Sequence, residues 1–141
     1  MAITALRIVA VMLVAPCLVP TGTHLLEMPA KMAMDKTSYF AVQHIYNGWA
    51  LFGVAEAAAI VATLALACAE RRRPLQTWFA MASAALIAVS LIVFFLLTYP
   101  ENVATGAPED WAPLQRNWES GHAIEALLTF FAVTVAAVRD S

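Results

Sequence analysis

The chain has 141 residues, of which 62% are hydrophobic and 13% are charged, and its mean hydropathy is positive. This composition is more apolar than that of an ordinary soluble domain, so it indicates an integral membrane protein. The formal net charge of -2 is too small to suggest a nucleic-acid partner, and none is expected.

Four apolar stretches are each long enough to cross a bilayer once, because a bilayer core needs about 20 residues of helix. They are rich in alanine and leucine and lack period-two alternation, which favours helices over strands. Helices also satisfy the backbone polar groups within each segment in lipid. We therefore expect a single all-α domain, a four-transmembrane-helix bundle with helices at residues 6–26, 44–69, 75–99 and 118–138.

The first apolar stretch is expected to be an uncleaved helix, bent near Pro16 or Pro20 because proline removes a backbone donor. His24 and Glu27 lie at its end, three residues apart, which places them on one stripe of a helix. The second stretch begins with a similar pair, His44 and Asn47.

Glu56 lies in the middle of the second apolar stretch, close to the expected bilayer midplane. A carboxylate at that depth costs on the order of 2.5 to 3.5 kcal/mol by insertion scales. It should therefore face the bundle interior, as a buried acid of a reaction or as a protonated side chain that hydrogen-bonds between helices.

The segment "ERRRP" joins the second and third stretches, and Arg7 and Arg139 are expected at the same end of the bundle. Positive charge near membrane spans is typical of the cytoplasmic side. We expect both termini inside (N-in/C-in), in a multi-pass protein of the bacterial inner (cytoplasmic) membrane.

The loop before the fourth helix is rich in proline and tryptophan and should form an ordered cover. Its tryptophans would otherwise belong to the aromatic belt at the membrane interface. The candidate substrate-binding residues are Asn102, Trp111, Arg116 and Trp118, together with Asn47.

The fourth helix begins with a stripe of three polar residues, Glu119, His122 and Glu125. Folding the chain up and down brings all three histidines to one end of the bundle. Three readings stay open: a bound metal, an acid/base or substrate pocket without metal, and structural hydrogen bonding. The candidate metal ligands are His24, Glu27, His44, Glu119 and His122, with copper or iron preferred to haem. The candidate catalytic residues are Glu56, His122 and Glu125.

The stretches "HLLEMPAKM", "YFAVQHIYNGWALFG", "TYPEN" and "DWAPLQRNWESGHA" together resemble the small four-helix bacterial membrane proteins grouped with the anthrone oxygenases. The resemblance covers nearly the whole chain. It implies a four-helix membrane fold and oxidation of an activated aromatic carbon by molecular oxygen. Many members carry arginine three residues after the last histidine, where this chain has Glu125, so a shared substrate is not implied.

The resemblance and the polar residues together predict an oxygenase-type membrane enzyme for a lipophilic, aromatic or quinone-like molecule that arrives from the bilayer. The first rival is a non-enzymatic accessory subunit that binds a metal, a haem or a partner in a homo-oligomer or membrane complex. The second rival is a cofactor-free acid/base enzyme, such as a lipid isomerase.

Overall fold

The computed structural model describes residues 2–104 and 109–138, and its regular structure within these ranges is helical, without strands. Three 3-10 turns (Ala15–Cys17, His44–Tyr46 and Trp49–Leu51) and one π-helical turn (Phe94–Thr98) connect or interrupt the α-helices. The α-helices are α1 (Ala2–Val14), α2 (Leu18–Met32), α3 (Lys36–Gln43), α4 (Phe52–Ala69), α5 (Pro74–Val93), α6 (Tyr99–Ala104) and α7 (Trp111–Ala137).

In the described part of the chain, four segments are long and apolar enough to cross a membrane, which confirms the predicted number of apolar helices. The first joins α1 and α2 through a 3-10 turn that contains Pro16, near the bend that was expected. The third continues from α5 through the π-helical turn into α6. These segments are span 1 (Ala2–Met32), span 2 (Phe52–Ala69), span 3 (Pro74–Asn102) and span 4 (Trp111–Ala137).

The four spans form a closed bundle. Helix α5 packs between α4 and α7, while α1 packs against α4 and α2 against α7. The Arg7 guanidinium pairs with Glu70 at 2.6 Å, so the start of span 1 meets the end of span 2. Lys31 pairs with Glu119, so the end of span 1 meets the start of span 4. Successive spans therefore alternate in direction, whereas the inside location of both termini stays a prediction.

Small residues and hydroxyl side chains fill much of the bundle interior. Ala10, Ala59 and Ala132 are fully buried, which lets neighbouring helix backbones approach closely. The hydroxyls of Thr21 and Thr129 lie 3.0 Å apart across the interface between spans 1 and 4. Large apolar side chains such as Leu26 and Trp78 instead project outwards, as expected for a surface that faces lipid.

The predicted start of the second helix at His44 is wrong. His44 lies in a 3-10 turn, and Gly48 has a φ of +91°, a left-handed conformation that ends helical propagation. Span 2 begins only at Phe52. Glu56 was expected near the bilayer midplane because the helix was predicted to begin at residue 44, but it lies in the first turns of span 2.

The other predicted boundaries also change. Span 1 continues to Met32 rather than residue 26, and span 4 begins at Trp111 rather than residue 118. Helix α3 was not predicted. It begins after Asp35, whose side chain accepts a hydrogen bond from the Ser38 backbone at 3.0 Å. This bond lowers the pKa of the Asp35 carboxyl below its usual value.

Candidate functional site

Two histidines lie face to face where spans 1 and 4 meet. The rings of His24 and His122 stack with centroids 4.2 Å apart and an interplanar angle of 22°. Trp118 contacts both rings edge-on, with centroid distances of 4.6 Å and 4.3 Å. Both histidines are buried. The predicted meeting of the histidine stripes of the first and fourth helices is therefore present in the structure.

Lys31 lies beside this pair and is one of the site residues that the sequence did not predict, together with Tyr39, Tyr46 and Thr98. It follows His24 by seven residues, so the two side chains share one face of α2. The Lys31 Nζ atom lies 2.8 Å from Nδ1 of His24, and the lysine is only 1% exposed. Its ammonium also lies over the rings of Tyr46 and Trp118, at 4.4 Å and 4.8 Å from their centroids. Such contacts stabilise a cation that is removed from water.

Two carboxylates flank the Lys31 ammonium. Oε1 of Glu119 lies 3.3 Å from Nζ, and Oε2 of Glu27 lies 3.7 Å from it. Glu119 is fully buried, whereas the Glu27 side chain is 44% exposed. A buried carboxylate is tolerated only when it is paired, so Lys31 and Glu119 depend on each other.

Two tyrosines complete this polar cluster from the segment between spans 1 and 2. The Tyr46 hydroxyl donates a hydrogen bond to the Glu27 carboxylate. Burial raises the pKa of the Tyr46 hydroxyl above its usual range, and the neighbouring Glu27 raises it further. Tyr39 is almost fully buried, and the pKa of its hydroxyl is raised first by burial and then by the nearby Glu119. Both phenols are therefore neutral at ordinary pH.

On the other side of the histidine pair, a short chain of contacts runs from span 3 to His122. The Thr98 hydroxyl donates to Oε1 of Glu125 at 2.6 Å. Oε2 of Glu125 lies 3.2 Å from Nδ1 of His122, at ion-pair distance but outside hydrogen-bond geometry. Thr98 belongs to the π-helical turn, a feature that often marks functional sites. A carboxylate this close to one ring nitrogen is compatible with a histidine whose other nitrogen accepts a proton from a ligand.

A large cavity of about 1160 Å³ opens beside the histidines. His24, His122, Glu125 and Glu56 contribute polar groups to its wall. Most of the remaining wall is aromatic or aliphatic, which suits a lipophilic ligand held by a few polar contacts. The aromatic wall includes Tyr39, Tyr46, Trp49, Phe52, Phe94 and Phe95.

His44 and Asn47 also line this cavity, but from the exposed connection rather than from a transmembrane helix. Within the described residues, no ring contact joins His44 to His24 or His122. Glu56 is 7% exposed and lines the cavity from span 2.

Four predicted substrate contacts lie at the end of span 3 or near the start of span 4, and two of them, Asn102 and Trp118, line the cavity. Asn102 lines the cavity and accepts a hydrogen bond from the Trp118 indole at 2.6 Å. Trp111 packs instead against Tyr39, with centroids 5.8 Å apart, and Arg116 is exposed. Neither Trp111 nor Arg116 lies on the cavity wall as the described residues define it.

The metal prediction stays a prediction. In the described residues, no group of three or more histidine, cysteine, aspartate or glutamate side chains is arranged to hold a metal ion. The Lys31 ammonium already lies between Glu27 and Glu119, and it contacts Nδ1 of His24. Three of the predicted ligands therefore already have a cation as their partner, and we derive no chemical step through a metal.

In comparisons with protein-family models, curated proteins and solved structures, no match to the chain was found. The fold and the site nevertheless define the kind of protein: a helical bundle with candidate membrane spans and a polar site at one end. Over residues 2–104 and 109–138 the chain is all-helical with four candidate membrane spans, and it carries a stacked histidine pair beside a large cavity at one end of the bundle.

Proposed function

We propose that the chain is an integral membrane enzyme that removes a proton from a lipophilic aromatic or quinone-like molecule and promotes its oxidation by molecular oxygen. The observation that carries this proposal is the series of contacts from Thr98 through Glu125 to His122 on the wall of the aromatic cavity. The oxygenase part follows from the resemblance to the anthrone oxygenase group.

His122 is the general base in this proposal. The Glu125 carboxylate, 3.2 Å from Nδ1 of His122, favours a proton on that nitrogen by its negative charge, which leaves the Nε2 lone pair for the substrate. A general base placed in this way contributes about 10²- to 10⁴-fold to a rate. Glu56, on the same cavity wall, is a second carboxyl group that can exchange a proton with the substrate.

The reaction balances without a further reductant. His122 takes a proton from an activated CH₂ group, and the electron pair of that C–H bond forms an enolate. The enolate then reacts with O₂, and loss of one water molecule leaves a new carbonyl group. One CH₂ group and one O₂ thus give one C=O group and one H₂O.

The outer surface of span 3 supports delivery of the substrate from the bilayer. Phe95 is 59% exposed on the apolar surface of the bundle and also lines the cavity. This position of Phe95 supports entry of a lipid-dissolved aromatic molecule through the side of the bundle. Arg7 and the arginines of "ERRRP" lie at the opposite end, which supports a multi-pass orientation in the bacterial inner membrane with the site on the outer side.

The experiment is oxygen consumption by protein purified in nanodiscs, with anthrone as the probe substrate. The parent protein should consume one O₂ for each anthraquinone formed, and His122→Gln should lower this rate by at least about 100-fold. Thr134→Ala, an exposed position on the far half of span 4, is the matched control and should keep the parental rate. Equal rates in the parent and His122→Gln would refute the proposal.

A further inference from the structure

The two ring nitrogens of His24 have different surroundings. Nδ1 lies 2.8 Å from the Lys31 Nζ atom, whereas no protein hydrogen bond of Nε2 is present within the described residues. His24 lines the cavity, but Lys31 does not. The Lys31 contact occupies Nδ1, which leaves Nε2 as the His24 ring nitrogen available to a ligand in the cavity.

The chemistry of the Lys31 side chain decides the proton position on His24. An ammonium group has three donors and no acceptor. Burial disfavours the charge on Lys31, but oxygens of Glu27 and Glu119 lie 3.7 Å and 3.3 Å from Nζ, and this nearby negative charge favours the ammonium form. Nδ1 of His24 must then be the acceptor of the 2.8 Å contact. A neutral imidazole with an accepting Nδ1 carries its proton on Nε2.

We infer that Lys31 is a positioning residue that fixes His24 as the Nε2–H tautomer, so that His24 donates a hydrogen bond to a ligand oxygen in the cavity. Lys31 acts through His24, because it is 1% exposed and does not line the cavity. The tautomer itself follows from the contacts of His24. The ligand class derived from it rests on the proposed function, in which His122 is the base.

The two stacked rings therefore have opposite roles. His24 presents a donor, and His122 presents an acceptor whose ring centroid lies 4.2 Å away. A ligand that uses both needs an accepting oxygen close to an acidic C–H group. A cyclic ketone whose activated CH₂ group is conjugated with the carbonyl through the ring system, as in anthrone, meets this need.

The reaction step that the stacked His24 and His122 support is enolisation of the ligand. The proton leaves carbon for Nε2 of His122, and the electron pair of the C–H bond moves into the enolate. The negative charge that develops on the ligand oxygen receives the hydrogen bond from Nε2–H of His24. The Lys31 ammonium behind Nδ1 polarises this donor without touching the ligand. A donor that is aimed at developing charge in a water-poor site is one of the larger sources of catalysis.

The tautomer is measured directly by nitrogen-15 NMR of histidine-labelled protein in nanodiscs, without any ligand. His24 should show a single neutral Nε2–H form in the parent protein at pH 7. In Lys31→Met the Nδ1–H form should become populated, because the donor to Nδ1 is lost. An Nδ1–H or doubly protonated His24 in the parent would overturn the inference, as would an unchanged tautomer in Lys31→Met.

Two further variants test whether the change of tautomer in Lys31→Met comes from misfolding or from a general loss of positive charge. Lys31→Met leaves Glu119 without its partner, so Lys31→Met/Glu119→Gln removes both charges together and should show the same mixture of tautomers. Arg72→Met removes an exposed positive charge in the "ERRRP" segment at the opposite end, and it should leave the His24 signals unchanged. A shift of the His24 tautomer in Arg72→Met as large as that in Lys31→Met would contradict a specific role of Lys31.

The ligand class is tested with two tricyclic probes that differ at the carbonyl group, anthrone and 9,10-dihydroanthracene. The parent should bind the ketone about five- to tenfold more tightly, the range expected for one hydrogen bond to the carbonyl. His24→Phe, which keeps a ring in the stack, should lose this preference. Equal binding of both probes by the parent would refute the ligand class. Failure of the proposed function would appear separately, as an unchanged reaction rate in His122→Gln.

Discussion

The Thr98 hydroxyl lies 2.6 Å from Oε1 of Glu125, and Gly121 is the residue that allows this approach. A Cβ atom at position 121 would lie 2.6 Å from the Thr98 oxygen, far inside van der Waals contact. The packing of span 4 against the π-helical turn of span 3 thus positions the carboxylate that faces His122.

Gly121→Ala should therefore destabilise the bundle by about 1–3 kcal/mol, the usual cost of overpacking a core. Gly53→Ala is the matched control, because a Cβ there meets no atom within 4 Å. It should instead gain about 0.5–1 kcal/mol, since alanine is the better helix former. Thermal unfolding in detergent measures both changes. A Gly121→Ala protein as stable as Gly53→Ala would contradict the close approach.

The buried pair of Lys31 and Glu119 gives a second prediction. Lys31→Met should destabilise the protein by about 3–5 kcal/mol, because the fully buried Glu119 loses its partner. Lys31→Met/Glu119→Gln should recover most of that loss, since no buried charge then remains unpaired. Unfolding of the three proteins in one detergent makes the comparison. If the double variant were as unstable as the single one, the two side chains would not depend on each other.

A third prediction separates acid/base chemistry from the metal-dependent alternative. A metal held by His24, His44 and His122 would be lost almost completely from each single alanine variant, because ligands of one metal act as a unit. If the Lys31 ammonium rather than a metal is the partner of these side chains, no such common loss is expected. Elemental analysis of the folded variants, with copper and iron measured, distinguishes the two. Stoichiometric metal in the parent and its loss from all three variants would establish the metal site.

The orientation is tested by labelling single cysteines in a protein without Cys17 and Cys68. Thr37→Cys, on the exposed surface of α3 near the site, should react with a membrane-impermeant maleimide added outside intact cells. Arg72→Cys, in the exposed connection between spans 2 and 3, should react only after the membrane is opened. The opposite pattern would place the site in the cytoplasm.

Sequence periodicity was sufficient to predict that the polar stripes of spans 1 and 4 meet. Residues three or four apart share a helix face. Because successive spans are antiparallel, the end of span 1 and the start of span 4 lie at the same end of the bundle. His24 and His122 therefore come together in the structure as expected. His44 was misplaced because the apolar run that follows it looks continuous, although Gly48 breaks the helix at a φ of +91°.

Lys31 was missed for a different physical reason. Hydropathy ends the first helix near residue 26, because Glu27, Pro29 and Lys31 are typical of a loop at the membrane surface. The structure continues the helix to Met32 and buries the lysine between acceptors from two spans. Its position at seven residues from His24 was the available signal. Thr98 offered no comparable signal, because its contact with Glu125 depends on a π-helical turn and on Gly121.

The central claim is that His122 removes a proton from a ligand carbon, and deuterium exchange measures that step alone. Anthrone is incubated with the protein in D₂O without oxygen, and NMR follows the incorporation of deuterium at the activated CH₂ group. The account predicts exchange at least about 100-fold faster with the parent than with His122→Gln, after subtraction of the spontaneous rate. The same rate of exchange with both proteins would contradict it.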